Sequence, residues 1–246
     1  STAVVHFFFM THHRDMGYKD TLFTTNFPKK FATWYTHLNE TSYWRFIFFD
    51  YLRSMNQNIT ISVFCSAAEG LPTLYCSEAS RLGEWIGQQG WQLVYGGASL
   101  GLMEHVAEGA KREGATITGV VPSKLKERGI ISKLIDQVIP VDSLSKRKAV
   151  MLERSDLSVA LPGGLGTLDE IFHVLGEASI GYHNKPVILY NSNGCYNVLL
   201  QLFDDLRQQG LLRHSLSGRL IVVNDFNTLT TAIKSVVANK AQGELF

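Results

Sequence analysis

The sequence predicts a doubly wound α/β domain, a parallel sheet with helices on both faces, over residues 59–246, with an N-terminal extension at 1–58. Three observations carry this. Short runs such as ISVFC (61–65) and PVILYN (186–191) are apolar throughout rather than alternating, so both faces of each strand must be covered. These runs alternate with amphipathic stretches long enough to be helices. Glycines sit where strand gives way to helix, as at Gly96-Gly97 and Gly163-Gly164.

The elements follow in order. Residues 61–65 read as a buried strand and 72–90 as a helix stopped by a glycine. A strand and turn occupy 91–97, and a second glycine-terminated helix spans 102–114. A strand at 115–121 leads into a basic, irregular stretch up to Asp136. Next come a strand at 137–141, a helix at 144–154, a strand and turn at 156–164, and a helix at 168–180. A strand at 186–191, a helix at 196–210, a strand at 220–225 and a helix at 228–237 complete the set. This is a Rossmann-like order, and a unit of this length can bury roughly 70% of its unfolded surface. No repeat or low-complexity tract appears.

Residues 1–58 differ in character. They hold more than half of the aromatic residues and half of the histidines, almost no glycine, and no sustained helical or strand period. An aromatic helix near 35–52 could dock on the main domain. The other reading is an appendage or upstream translation, with Met55, just before the first convincing strand, as the natural start. His12-His13 has no carboxylate or third histidine at ligand spacing, so no metal site is expected.

Lys+Arg 23 against Asp+Glu 22 argues against a polyanion-binding surface spread over the whole chain, though not against a local phosphate pocket. Cys65, Cys76 and Cys195 are odd in number and lack CxxC spacing, which suggests neither a disulfide framework nor a zinc knuckle. No apolar run approaches the roughly 20 residues that cross a bilayer. The expectation is a soluble, cytoplasmic protein that engages neither membrane nor nucleic acid.

In doubly wound sheets, ligands bind beyond the carboxyl ends of the strands. Two strand ends here carry glycine clusters, Tyr95-Gly96-Gly97-Ala98-Ser99-Leu100-Gly101 and Pro162-Gly163-Gly164-Leu165-Gly166-Thr167. Neither is the GxGxxG dinucleotide fingerprint, and no acidic residue ends a strand about 20 residues after the first cluster. A nicotinamide dinucleotide enzyme is therefore disfavoured. The second cluster suits a phosphate: glycines admit close backbone approach, and the following helix start offers free N–H groups and partial positive charge. Alternatively these glycines only make a tight turn, with Thr167 as N-cap.

Glu170 has two readings as well. Thr167-x-x-Glu170 is a capping box, in which the carboxylate serves the helix start. The catalytic reading instead places that carboxylate beside the ligand, because helical side chains tilt toward the N-terminus. The preceding helix weighs on the choice. Leu144, Arg147, Lys148 and Met151 recur at helical spacing and share a face that begins and ends apolar. Cations on such a face either snorkel outward or meet an anion. The glycine-rich turn that follows favours an anionic ligand, with Glu170 ionised beside Arg147.

At these residues the chain resembles the LOG (Lonely Guy) family of cytokinin riboside 5′-monophosphate phosphoribohydrolases. PGGLGTLDE (162–170) looks like its PGGxGTxxE signature, and SKRKAVM (145–151) looks like the RKA part of its second motif. LVYGGASLGLM (93–103) and GYHNKPVILYN (181–191) match flanking segments, so the similarity covers nearly all of 59–246. The resemblance implies hydrolysis of the N-glycosidic bond of an adenosine-type 5′-monophosphate, releasing free base and ribose 5-phosphate. Arg147 and Glu170 would form the catalytic pair. Gly163, Gly164, Gly166 and Thr167 would bind the 5′-phosphate, with Lys148 as further positive charge, and Gly96, Gly97 and Leu144 would add substrate contacts. No metal and no cofactor are implied, and a homodimer with the site near its interface is expected. A lysine decarboxylase label, also attached to this family, finds no pyridoxal-site context around Lys148. A non-catalytic nucleotide or cofactor carrier of the same fold is the alternative.

The chain departs from the family pattern at several positions. Leu144 and Ser145 stand for the Met and His of MHxRK, and Cys65-Ser66-Ala67-Ala68 for CGSS. Ala98 replaces a third glycine, Glu104 another glycine, and Glu177 and Ser179 a Trp and a Gln. These changes fall where base and interface contacts would lie, and so bear on substrate identity. The proposed phosphate and catalytic positions are intact.

Overall fold

The structure, a computed structural model, describes residues 59–212 and 216–241. The expectations for 35–52, His12-His13 and Met55 lie outside the described residues. The elements are β1 (Thr60–Phe64), α1 (Thr73–Gln88), β2 (Gln92–Tyr95), α2 (Gly101–Arg112), β3 (Ile117–Pro122), α3 (Ser123–Glu127) and β4 (Gln137–Val141). They continue as α4 (Leu144–Glu153), β5 (Leu157–Ala160), α5 (Leu165–Ser179), β6 (Val187–Tyr190), α6 (Asn197–Gln208), β7 (Leu220–Val223) and α7 (Phe226–Ala241). The strands form one sheet in the order β4-β3-β2-β1-β5-β6-β7, with every pairing parallel.

The apolar strands are buried on two sides, as their composition requires. Ile61, Val63, Leu93 and Val159 pack beneath α1, α2 and α7, while Phe64, Val94, Ala160 and Leu189 pack beneath α4, α5 and α6. Two glycines let α1 and α2 approach backbone to backbone. A Cβ on Gly83 would lie 2.1 Å from the Val106 carbonyl oxygen, and one on Gly109 2.0 Å from that of Ser80. No helix among the described residues is long and apolar enough to cross a membrane.

Three expectations change. The basic stretch after β3 contains the short helix α3, started by Pro122 in extended geometry and held by Leu125 against the core. Five lysine-rich residues are too few to show a helical period. The outer strand β4 is largely exposed; at a sheet edge only part of the strand is covered, and Pro140 there has no N–H to leave unpaired. Finally, α5 starts at Leu165 rather than 168, so its first turn takes in Gly166 despite the low helix propensity of that residue.

Candidate active site

The strand order places a switch point at β1, which pairs with β2 on one side and β5 on the other. Chains leaving adjacent strands in opposite directions open a crevice there. The end of β1 is clamped across that crevice: Ser66 N–H donates to Pro162 O (3.1 Å), and Leu102 N–H donates to Ser66 O (2.9 Å). Both glycine clusters thus flank the same strand end. Tyr196, from the start of α6, is buried and donates its hydroxyl to Leu161 O at 2.6 Å. It pins the second cluster from below.

Gly164 is the N-cap of α5 and no side chain caps the helix; the first intrahelical bond at this end runs from Leu168 N–H to Gly164 O (3.0 Å). The N–H groups of Leu165, Gly166 and Thr167 therefore stand at the positive end of a 15-residue helix, the arrangement that binds anions. Thr167 lies inside the helix, so the capping box does not form, and Glu170 is freed from that reading. The glycines divide by cause. A Cβ on Gly163 would lie 2.0 Å from Thr167 Oγ1, so packing demands glycine there, whereas at Gly164 and Gly166 it would meet nothing within 4 Å. Neither of these two has a positive φ. The fold gives no steric reason for them; a ligand approaching the backbone would supply one.

Glu170, one turn beyond Thr167, is 4% exposed and accepts a hydrogen bond from Arg147 Nη2. Arg147 is brought there by α4, whose start is capped by Ser143: its Oγ accepts Lys146 N–H at 3.2 Å. The guanidinium lies on Gly96, where a Cβ would be 2.6 Å from Nη2. Its buried Nε has no hydrogen-bond partner among the described residues. Burial pushes the Glu170 carboxyl up to about 7, against the pull of Arg147. The expectation of a simply ionised Glu170 is thus corrected: desolvation exceeds the ion pair, and the group titrates near neutrality. Cys65 is close enough for Glu170 to act on it, and burial pushes its thiol up. That makes Cys65 a poor nucleophile.

The other sequence candidates are placed as follows. Gly97 has φ +78°, and a Cβ there would meet Val121 Cγ2 at 2.6 Å, so it shapes the β2 turn. Lys148 is mostly buried, with Nζ 2.5 Å from Asp169 Oδ1. Its charge already has a partner, which sequence reasoning missed although Asp169 adjoins Glu170 in the quoted motif. Leu144 is 59% exposed, so the shared face turns inward only from Arg147 onward. Tyr196 also went unread; no local pattern announces a tyrosine that supports a turn 35 residues away.

The comparisons with known proteins bear on this arrangement. The family described as "Possible lysine decarboxylase" matches residues 103–233, more than half of the chain. A probable cytokinin riboside 5′-monophosphate phosphoribohydrolase of rice (Oryza sativa subsp. japonica) is 40% identical over 162 residues, covering 66% of this chain and 76% of the relative. The chain belongs to the LOG family. Among its relatives, the cytokinin riboside 5′-monophosphate phosphoribohydrolase of Rhodococcoides fascians is 36% identical over 177 residues, 72% of this chain and 89% of that one. The molybdenum cofactor carrier protein of Chlamydomonas reinhardtii has a similar solved structure. Its TM-score is 0.59 at 27% identity, over 74% of this chain and 99% of that one. LOG-family sequence and a carrier's structure therefore meet on the same fold.

Proposed function

We propose that residues 59–246 form a nucleoside 5′-monophosphate phosphoribohydrolase that acts on AMP-type cytokinin nucleotides such as N6-isopentenyl-AMP. The observation that carries this is the buried Glu170–Arg147 pair one helical turn from the uncapped start of α5. The 5′-phosphate accepts from the N–H groups of Leu165, Gly166 and Thr167. Three helical residues rise about 4.5 Å, which puts the Glu170 carboxylate beside the ribose. The C1′–N bond breaks with its electron pair leaving on the base. Water oxygen bonds to C1′, one water proton passes to Glu170, and Glu170 hands that proton on to the departing base, which leaves neutral as the carboxylate is restored. In its ionised form Glu170 also stabilises the positive charge that builds on the ribose, while Arg147 keeps it oriented and partly ionised.

The experiment follows free base by chromatography after incubation with AMP, N6-isopentenyl-AMP and their unphosphorylated nucleosides. Base is expected from the monophosphates and not from the nucleosides. No base from any monophosphate would overturn the reading. The carrier's structural similarity supports a second reading, a protein that binds a phosphorylated small molecule without cleaving it; it predicts binding that survives Glu170→Gln and no base release before or after.

The phosphate role can be read separately. Gly166→Ala is expected to stabilise the protein by roughly 0.5–1 kcal/mol through helix propensity, yet to weaken AMP binding because the methyl stands in the ligand's path. Gly163→Ala is expected to destabilise by about 1–3 kcal/mol through its clash with Thr167. Denaturation midpoints together with calorimetric affinity separate the two; a Gly166→Ala variant that binds AMP normally would remove that glycine from the phosphate site.

The proposed assembly is a homodimer. Supporting it, Leu165 (87% exposed), Phe172, Ile180 and Tyr182 stand out from α5 and its end, and Val198 and Leu202 from α6. An apolar surface of this kind marks an interface. Sedimentation equilibrium reads it directly, and a monomer at micromolar concentration would contradict it. Three unpaired cysteines fit a reducing, cytoplasmic setting.

A further inference from the structure

The surface beside the site carries charge that the proposed chemistry does not use. After β3 ends at Pro122, residues 123–133 form an arm on which Lys124, Lys126, Arg128 and Lys133 are all exposed. Glu127 is the arm's one carboxylate. Among the described residues, none of the four cations forms an ion pair. Since the whole chain is nearly neutral, this concentration is local.

The arm's backbone is fixed to the first glycine cluster. Ser99 N–H donates to Ile130 O (2.9 Å), Ser132 N–H donates to Gly97 O (3.0 Å), and Ala98 bridges Ile131. Apolar anchors hold it from beneath: Leu125, Leu134 and Ile135 pack on the core, and a Cβ on Gly119 would lie 2.4 Å from Ile135 Cδ1. Gly96, next to the Gly97 anchor, lies under the Arg147 guanidinium. A run of lysines on a loose loop would be a solvated face and nothing more. Here the cations are held at the carboxyl ends of β2 and β3, three strand spacings from the turn after β5. At about 4.8 Å per strand the separation is roughly 15 Å, within the reach of Coulomb forces at low salt.

We propose that residues 123–133 are an electrostatic capture surface that concentrates phosphorylated nucleotides at the crevice and takes no part in bond cleavage. The inference rests on the reading of the site as one for nucleoside monophosphates. The arm raises affinity and kcat/KM for the dianion, leaves kcat alone, and does nothing for a neutral nucleoside.

The test is the triple variant Lys124→Gln, Lys126→Gln, Arg128→Gln in the full chain, with calorimetric Kd for AMP and adenosine at about 0.01 M and about 0.5 M salt. AMP is expected to bind about fivefold more weakly at low salt, from three charges at roughly 15 Å. The gap should close at high salt, with adenosine affinity and kcat unchanged. An AMP affinity indifferent to the substitutions, or an equal loss for adenosine, would overturn the proposal. If the triple variant loses its folded circular-dichroism signal, Arg128→Gln alone is expected to show about a third of the free-energy effect, and no effect there would also overturn it. Because the readout is binding, the two readings fail separately. AMP bound but never cleaved sinks the hydrolase alone, AMP binding blind to the arm sinks the arm alone, and no AMP binding at all sinks both.

Discussion

Glu170→Gln is expected to lower kcat for base release by about 10²–10⁴-fold, the usual contribution of a positioned acid–base group, while AMP affinity changes only a few-fold. Glutamine keeps the volume and can still accept the Arg147 hydrogen bond, so the pair's geometry survives. It cannot carry negative charge toward the ribose or take a proton from water. The substitution has a second signature, in stability. Folding raises this carboxyl from 4.5 to about 7, so between those values the folded state holds more proton than the unfolded one. The associated stability is complete below pH 4.5 and is lost as pH rises through about 7. Relative to wild type, the Gln variant should therefore gain stability across that window, which urea midpoints at pH 4.5 and pH 8 would read. Near wild-type turnover would return Glu170 to a structural role.

Arg147→Met is expected to move the pH profile as well as lower it. In the wild type, kcat/KM should rise with pH through about 7 as Glu170 ionises, with burial raising its pKa and Arg147 lowering it. Without the guanidinium, burial is opposed only by the weaker pull of Lys148. Loss of one opposite charge typically moves a carboxyl by about 1–3 pKa units, so at pH 7 the ionised fraction falls by about five- to five-hundredfold. Raising the pH to about 9 should recover part of the activity, which a merely misfolded variant would not do. The variant is also expected to be less stable, because a buried carboxyl loses its partner. An acid limb that stays near 7 would show that Arg147 does not set the charge of Glu170.

The fold was legible because parallel strands covered on both faces leave uninterrupted apolar runs, and glycines mark their ends. ISVFC and PVILYN were placed to within a residue for this reason. The site was legible in part. Arg147 and Glu170 could be paired because a cation at an inward helical position needs an anion, and the next motif supplies one. What was missed depends on tertiary contact. The start of α5 lies among glycines that propensity rejects, yet Thr167 within that first turn is buried by the rest of the fold. Lys148 has a neighbour on another helix, Asp169, that spacing along its own helix cannot reveal. Leu144 fits the periodic face yet projects into solvent, because the first turn of α4 lies beyond its covering layer. How burial would balance against the ion pair at Glu170 was also hidden, since that depends on the depth of the crevice.

The most direct test of the account is a crystal structure of the Glu170→Gln variant with AMP bound. It should show the phosphate within hydrogen-bond distance of the N–H groups of Leu165, Gly166 and Thr167, and C1′ beside the side chain at position 170. A phosphate seated elsewhere, or a ribose turned away from position 170, would contradict it.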